Sequence, residues 1–162
     1  MYDKLPQGET DMKKCFILLI VLLLLLLTFA SCAKVEESKA KEVAEDLIEY
    51  IEQGDYASAS DLFCEDKDET GKTFPELLNE IEKATGLSFQ SKVEIVEYTD
   101  FTSKYSGIYG TIPCAFLDFI ATIDGQRVNI AVDMMEKEDK LECFFFNLEY
   151  NNELYQFVCQ TE

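Results

Sequence analysis

The sequence predicts an α+β domain, in which N-terminal helices pack on a curled antiparallel sheet, with an export signal ahead of it. Three observations lead to this prediction. Residues 15–30 form an apolar, uncharged run. From residue 40 to Gly86, apolar residues recur every three or four positions, which is the period of an amphipathic helix. Beyond Gly86 they alternate with polar residues, and Asp124-Gly125 has the composition of a two-residue hairpin turn.

The apolar run has the order of a secretory signal. Lys13-Lys14 precedes it, and it ends at small residues. A helix over residues 15–30 rises about 24 Å, short of the roughly 30 Å hydrocarbon core of a bilayer. We therefore expect a signal peptide over residues 1–31, with Met12 as the initiator. An uncleaved membrane anchor is the alternative, because the uncharged stretch extends as far as residue 33.

Phe29-Ala30-Ser31-Cys32 resembles the lipobox of bacterial lipoproteins, although the family usually has Leu where this chain has Phe29. In that family the cysteine receives a diacylglyceryl group and becomes the mature N-terminus. The resemblance implies lipid attachment at Cys32 and a location on the extracytoplasmic side of a bacterial cell membrane. Two acyl chains hold a protein durably on a membrane, whereas one chain is marginal. Residues 32–39 would then be the lipidated cysteine and its tether, and residues 40–162 the folded domain.

The composition limits the chemistry of that domain. The formal net charge of −18 repels nucleic acid phosphates, so we expect no nucleic acid partner. The sequence has no His, which removes the usual general base and the commonest transition-metal ligand, and we expect no cofactor. Four cysteines follow the anchor, and both disulfides and free thiols stay open for them, with no pairing indicated: Cys64, Cys114, Cys143 and Cys159.

Three helices are predicted before Gly86. Residues 40–51 have an apolar stripe at helical spacing, and Gly54 stands at a helix-ending position. Asp55 can cap a second, shorter helix. The third begins at residues 73–76, Thr-Phe-Pro-Glu, which is a capping box with Pro in the first turn, and it ends at Thr85.

Alternating segments follow the helices. We expect strands at residues 91–98, 105–111, 114–123, 126–135, 140–148 and 154–159. Turns at Glu138-Asp139 and Asn151-Asn152 would separate the last three of them. The Asp124-Gly125 turn fixes the pairing of its two strands, and the apolar positions then coincide on one face: Ala121 with Val128, Phe119 with Ile130, Leu117 with Val132, and Ala115 with Met134.

The strand at residues 140–148 is apolar at consecutive positions. Simple alternation turns every second residue toward the helices: Leu141, Cys143 and Phe145. It turns the remaining apolar residues outward: Phe144, Phe146 and Leu148. A strand that is apolar on both faces needs cover on both. We expect either the terminal strand or a second copy of the chain to cover these three residues, which makes them a candidate interface.

Two segments suggest a family. Residues 47–59, which contain Gly54-Asp55-Tyr56, resemble the long helix, Gly-Asp-Tyr and short helix that open the nuclear transport factor 2-like, or cystatin-like, lipoproteins of bacteria. Residues 132–141 are similar to the charged hairpin before the last core strand of that family, although its Gly is missing and Leu141 stands where Trp is usual. The resemblance implies a cone-shaped fold whose helices close one face of the sheet. It implies no activity, because that fold includes enzymes, binding modules and dimerisation units.

Two acidic groups have candidate chemistry. Residues 66–71 match the start of a calcium loop, with acids at positions one and three and Gly at six, but Leu77 stands where a bidentate Glu is required. A solvated loop is the other interpretation. Asp118 and Asp133 should be diagonal neighbours about 7 Å apart on the face opposite the apolar one. Such a pair could bind a cation or transfer protons, or could simply face solvent.

Tyrosines offer a further possibility. A phenol in a pocket mouth beside a carboxylate would resemble the site of ketosteroid isomerase on a related fold, and four residues could supply it: Tyr56, Tyr98, Tyr105 and Tyr109. An amphipathic tyrosine at the edge of an element is the ordinary alternative.

Three functions follow from these observations. The one we favour is a non-enzymatic, membrane-anchored lipoprotein that binds a protein partner or a small apolar ligand. The second is a small cone-fold enzyme of the isomerase or dehydratase type, which would need a deep pocket with a phenol near a carboxylate. The third is a structural envelope module that acts as a homodimer.

Overall fold

Three helices precede a sheet, as predicted. The computed structural model describes residues 34–106 and 112–159. Within them, helix α1 spans Glu37–Gln53, α2 spans Tyr56–Ser60 and α3 spans Phe74–Thr85. The predicted signal peptide, Cys32 and the first residue of the tether lie outside the described residues.

The helix ends follow the local signals in the sequence. α1 stops where Gly54 adopts a left-handed φ of 71°, a conformation that costs glycine little. At the start of α3, the hydroxyl oxygen of Thr73 accepts the Glu76 N–H at 3.4 Å, and the Glu76 carboxylate accepts the Thr73 N–H at 2.8 Å. This is the predicted capping box.

Five strands of the described chain form one antiparallel sheet, ordered β1-β2-β3-β4-β5. Their bounds are Val93–Ser106 for β1, Ile112–Ile123 for β2, Gln126–Lys137 for β3, Lys140–Tyr150 for β4 and Glu153–Val158 for β5. Each strand therefore pairs with its neighbours in sequence, and the molecule is an α+β protein with its helices ahead of the sheet.

The predicted hairpin turns are confirmed. Both residues of each turn have positive φ, as a type I′ turn requires: Asp124 (51°) and Gly125 (75°), Glu138 (52°) and Asp139 (65°), Asn151 (54°) and Asn152 (65°). The pairing of β2 with β3 is the predicted one, with Leu117 opposite Val132 and Phe119 opposite Ile130. The turn chemistry and the apolar pattern agree on the same register.

The first strand corrects the sequence-based prediction. Separate strands were expected at residues 91–98 and 105–111, but β1 runs without interruption from Val93 to Ser106. It pairs with β2 throughout, and its register shifts between Ile95 and Glu97 and again between Tyr98 and Asp100. Such bulges interrupt the alternation of apolar and polar side chains. One long strand therefore has the sequence pattern of two shorter ones. Residues 107–111 of the second predicted strand lie outside the described residues.

The two faces of the sheet can be assigned from the strand pairing, because directly opposite residues share a face. We call inner the face that includes Leu117, Val132 and Phe146, which are paired across β2, β3 and β4. All three are fully buried, and the ring of Phe74 from α3 lies 5.2 Å from that of Phe146. The outer face includes Phe116, Asp133 and Phe145, which are paired across the same strands.

A bulge in β4 makes the predicted orientation of its apolar residues wrong. Asp133 pairs with Phe145 and the next residue, Met134, pairs with Cys143, so Phe144 is an extra residue in the strand. Beyond the bulge the alternation is reversed. Phe146 and Leu148 therefore point inward and are fully buried, and Phe145 points outward.

The candidate interface of Phe144, Phe146 and Leu148 is therefore not an exposed surface. Phe146 and Leu148 belong to the core of the single chain. Phe144 does point outward, as expected, but it is only 8% exposed and packs edge-on against the Phe116 ring at 6.4 Å. The chain itself covers these residues, for which the terminal strand and a second copy were the two expected alternatives.

Aromatic rings fill the space between helices and sheet. Phe63, which follows α2, lies 4.5 Å from Phe74 and 5.0 Å from Phe157 of β5. Phe74 also lies 5.6 Å from Phe157. Tilted and edge-on rings at these separations add to the stabilisation from burial, so this cluster holds the helical segment on the sheet.

Candidate functional site

The outer face carries a shallow groove, which we call the outer-face groove. It has a volume of about 280 Å³ and crosses β1 to β4. Ala131 lies at its centre, opposite Asp118 on one side and Asn147 on the other. Its lining is Thr99, Asp118, Phe119, Ile120, Asn129, Ile130, Ala131, Asn147 and Glu149. These residues include two carboxylates and no cationic side chain.

Two asparagines distinguish this groove from an ordinary polar surface. Asn129 donates a hydrogen bond to Glu149 at 3.3 Å, which fixes one side of the groove. The Oδ1 atom of Asn147 is buried and has no hydrogen-bond partner among the described residues. A buried acceptor without a donor costs about 1–3 kcal/mol, so this oxygen favours a ligand that brings a donor.

The sequence did not predict these asparagines. Asn147 lies beyond the β4 bulge, so simple alternation turns it toward the core, where an amide would have been unfavourable. The available signal was the set of polar residues at positions 129, 147 and 149, which pairing places on adjacent strands. These positions can be assigned to one face of the sheet only when the location of the bulge is known.

Asp118 and Asp133 are diagonal neighbours on the outer face, as predicted, because Asp118 pairs with Ala131. Burial raises the pKa of Asp118, and the nearby Asp100 carboxylate raises it further. Burial also raises the pKa of Asp133 to about 6, with a further contribution from Asp118 and an opposing one from Lys104. This end of the outer face is therefore an acidic row in which one carboxyl takes up a proton just below neutral pH.

Of the tyrosines predicted as candidates, Tyr98 contacts charged residues of α1. The Tyr98 hydroxyl donates to the Glu45 carboxylate of α1 at 2.9 Å, and the Lys41 ammonium lies 4.5 Å from the Tyr98 ring centroid. Burial raises the pKa of Tyr98, and the bond to Glu45 adds to this effect. The phenol therefore stays protonated and fastens β1 to α1. Tyr98 does not line the outer-face groove.

Neither Tyr56 nor Tyr105 lines the outer-face groove. Tyr56 is half-buried and packs on the core, whereas Tyr105 is 40% exposed. Tyr109 lies outside the described residues.

The loop with calcium-like spacing is held by its own hydrogen bonds. Asp68 is buried, and its Oδ1 atom accepts the N–H groups of Thr70 at 2.9 Å and Lys72 at 2.8 Å, together with the Thr70 hydroxyl at 2.7 Å. Burial would raise the pKa of Asp68, but these hydrogen bonds outweigh it and the pKa is lowered. Within residues 34–106 and 112–159, no group of three or more His, Cys, Asp or Glu side chains is placed to hold a metal ion.

A larger depression of about 740 Å³ lies beside this loop and α3. It is open to solvent. Of its four charged residues, Lys72 and Glu80 form an ion pair with each other, and Glu76 is held in the capping box. Because most of these charges already have partners in the chain, the outer-face groove, with its unpartnered oxygen, is the stronger candidate for a binding site.

None of the described helices is both long enough and apolar enough to cross a bilayer. Comparison of the chain with protein-family models, with curated proteins and with solved structures found no match.

Proposed function

We propose that this chain is a lipid-anchored, extracytoplasmic protein of a bacterial cell membrane, and that its domain is a non-enzymatic binding module. The lipobox-like residues ending at Cys32 support the anchor. The arrangement of helices ahead of an antiparallel sheet is compatible with the cone of the nuclear transport factor 2-like lipoproteins, which we propose as its fold. Binding takes place at the outer-face groove, and the observation that carries this assignment is the buried, unpartnered oxygen of Asn147.

The chemistry of the groove favours one kind of partner. Asp118 and Glu149 contribute negative charge to a protein whose net charge is already −18, and the lining has no cationic side chain. The Asn147 oxygen calls for a hydrogen-bond donor. A basic segment of another protein supplies both positive charge and donors. The polar lining suits such a segment better than it suits a small apolar ligand.

The alternative functions have less support. The phenol–carboxylate pair that an isomerase-like enzyme would use exists as Tyr98 and Glu45, but the two groups bond each other outside the groove. A homodimer through the β4 residues lacks its surface, since Phe146 and Leu148 are fully buried within one chain.

The anchor is tested by the Cys32→Ser variant. We expect wild-type protein in the membrane fraction to incorporate a radiolabelled fatty acid, and the variant to lose both the label and membrane retention. An Ala33→Ser variant is the matched control and should keep both. Retention of the unlabelled, full-length variant in the membrane would instead show an uncleaved anchor and would overturn lipidation.

The groove is tested by photo-crosslinking in cells. A photoreactive amino acid at position 129, on the groove, should give a discrete adduct with another protein. The same amino acid at position 42, on the exposed side of α1, should give none. The double variant Asp118→Asn, Glu149→Gln should reduce the adduct at position 129 at least several-fold, because it removes the charges that attract a basic partner. Equal adducts at both positions, or an adduct insensitive to the double variant, would overturn the assignment.

A further inference from the structure

Three of the four cysteines beyond the anchor meet at one point of the fold. The loop after α2 runs alongside β4: the Cys64 N–H donates to the Cys143 carbonyl at 2.9 Å, and the Cys143 N–H donates to the Leu62 carbonyl at 2.8 Å. At the end of β5, the Cys159 N–H donates to the Phe144 carbonyl at 2.9 Å. Segments far apart in sequence are therefore fixed side by side by main-chain hydrogen bonds.

The thiols of Cys64 and Cys159 converge at this point. The Cys159 thiol lies 3.7 Å from the Cys143 carbonyl oxygen, the same atom that accepts the Cys64 N–H. A contact between the Cys64 and Cys159 side chains also shifts the pKa values of both thiols. Cys64 is half-buried and accessible to solvent, whereas Cys159 and Cys143 are buried. Cys114 lies elsewhere, at the start of β2, with its thiol 3.6 Å from the Ile112 carbonyl oxygen.

The two thiols have different roles. The hydrogen bond from Cys64 lowers the pKa of Cys159, the N–H groups of Glu65 and Cys64 contribute in the same direction, and burial opposes them. The same contact, together with burial, raises the pKa of Cys64. Burial raises the pKa of Cys143. Cys64 is the sulfur that an oxidant can reach, and Cys159, whose pKa is lowered, is the sulfur that closes the bond.

We propose that Cys64 and Cys159 form a disulfide that fastens the segment after α2 to the end of β5, and that Cys143 and Cys114 stay reduced. Because the Cys159 thiol and the Cys64 N–H contact the same carbonyl oxygen, a small rearrangement brings the two sulfurs to the ~2.05 Å of a sulfur–sulfur bond. The proposal is independent of what binds the outer-face groove. It assigns a pairing that the cysteine spacing in the sequence left open.

The oxidant is a small-molecule disulfide such as glutathione disulfide. Cys64, the accessible cysteine, loses its proton and attacks one sulfur of the oxidant, which forms a mixed disulfide and releases one glutathione thiolate. Cys159 then gives up its proton, attacks the Cys64 sulfur and releases the second glutathione thiolate. Two cysteine thiols are oxidised to one disulfide, the oxidant is reduced to two thiols, and the two protons of the cysteines end on those thiols.

The ring that this bond closes includes α3 and the strands β1 to β5. Cross-linking residues so far apart in sequence restricts the unfolded chain strongly. The bond also lies next to the contact between Phe63 and Phe157, which holds the helical segment on the sheet. Oxidation should therefore stabilise the fold without rearranging its core.

The pairing can be read directly on the full chain. The protein, purified in mild detergent, is treated with glutathione disulfide, alkylated, and cleaved after glutamates. This cleavage separates the cysteines into different peptides: 53–65 with Cys64, 98–136 with Cys114, 143–149 with Cys143, and 154–162 with Cys159. We expect peptides 53–65 and 154–162 to be joined and to separate on reduction, with Cys114 and Cys143 alkylated. A link from Cys64 to Cys143, or four alkylated cysteines after oxidation, would overturn the proposal.

Variants provide a second readout. Oxidation should raise the midpoint of thermal unfolding of the wild type by roughly 5–10 °C. Cys64→Ser and Cys159→Ser should each abolish this difference between oxidised and reduced protein, while Cys114→Ser should keep it. Comparing each variant with itself, oxidised against reduced, removes any effect of the substitution on folding. An unchanged difference in Cys64→Ser would contradict the assigned pair.

Discussion

The inner and outer faces of this sheet are built from alternate residues of the same strands, yet they have different compositions. On the inner face Leu117, Val132 and Phe146 are fully buried and meet the aromatic rings of the helical segment. On the outer face their sequence neighbours include Asp118 and Asp133, whose carboxyls repel each other. Packing on the inner face stabilises the fold, whereas the outer face contains polar groups that raise the free energy of the folded chain.

The difference indicates where function is located. Polar groups that raise the free energy of the folded chain persist when another property depends on them. On the outer face the Asp133 carboxyl has its pKa raised by burial, and the Asn147 oxygen is unpartnered. The inner face also has one buried oxygen without a partner among the described residues, the Oγ atom of Ser103, which lies opposite Ala115. The outer face differs in having both such an oxygen and a carboxyl whose pKa is raised by burial. Recognition is therefore assigned to the outer face, and substitutions at neighbouring positions should separate stability from binding.

The clearest test compares Phe146→Ala with Phe145→Ala. Phe146 is fully buried on the inner face, so its truncation should lower the free energy of unfolding by about 3–5 kcal/mol. Phe145 is half-buried on the outer face, where water can fill the space, and its truncation should cost roughly 1–2 kcal/mol. Urea unfolding followed by circular dichroism measures both. The reverse order of the two variants would show that the β4 bulge, and with it the assignment of faces, is wrong.

The stability of Asp133→Asn as a function of pH tests whether the ionised Asp133 carboxylate destabilises the folded chain. The folded pKa of Asp133, about 6, lies above the value of an unfolded Asp, so the folded state binds the proton more tightly. The wild type therefore loses stability as pH rises through the window from about 4 to about 6. Above that window the variant should be more stable by about 1–2 kcal/mol, allowing for partial exposure, and the advantage should vanish below pH 4.

A second substitution separates the causes of this effect. Part of the raised pKa of Asp133 comes from the Asp118 carboxylate. In an Asp118→Asn background, the gain from Asp133→Asn should be smaller and its pH window should shift downward. The measurement is the free energy of unfolding at several pH values for all four proteins. A gain that does not change with pH would contradict an origin in the ionisation of Asp133.

The turns and the β2–β3 pairing could be predicted from the sequence, whereas the bulge in β4 could not. The turns at Asp124-Gly125 and Asn151-Asn152 were predictable because positive φ selects these residue types. The pairing of β2 with β3 followed from two regular strands. The β4 bulge was not predictable, because a run of aromatic residues fits either face of the sheet. No particular residue type marks the position of the extra residue. The outer-face groove was missed for the same reason, since Asn147 lies beyond the bulge.

The same limit applies to the cysteines. Their number permitted disulfides, but no spacing between Cys64 and Cys159 indicates that they meet. Their proximity depends on the loop after α2 pairing with β4 and on β5 returning along the other side. Contacts between distant segments depend on the assembled sheet. Local sequence patterns therefore could not predict which cysteines meet.

The smallest effect on stability is expected from Asn147→Ala. Truncation of a half-buried side chain normally destabilises a protein, but here it also removes the buried, unpartnered Oδ1 atom. The two contributions oppose each other, so the free energy of unfolding should change by less than about 0.5 kcal/mol. The next residue, Leu148, is fully buried on the inner face, and Leu148→Ala should cost about 2–5 kcal/mol. Asn147→Ala should also lower the yield of the photo-crosslink at position 129, because the partner loses an acceptor. A variant that folds normally and loses the adduct separates recognition from folding, whereas a loss of several kcal/mol would show that Asn147 has a partner in the folded chain.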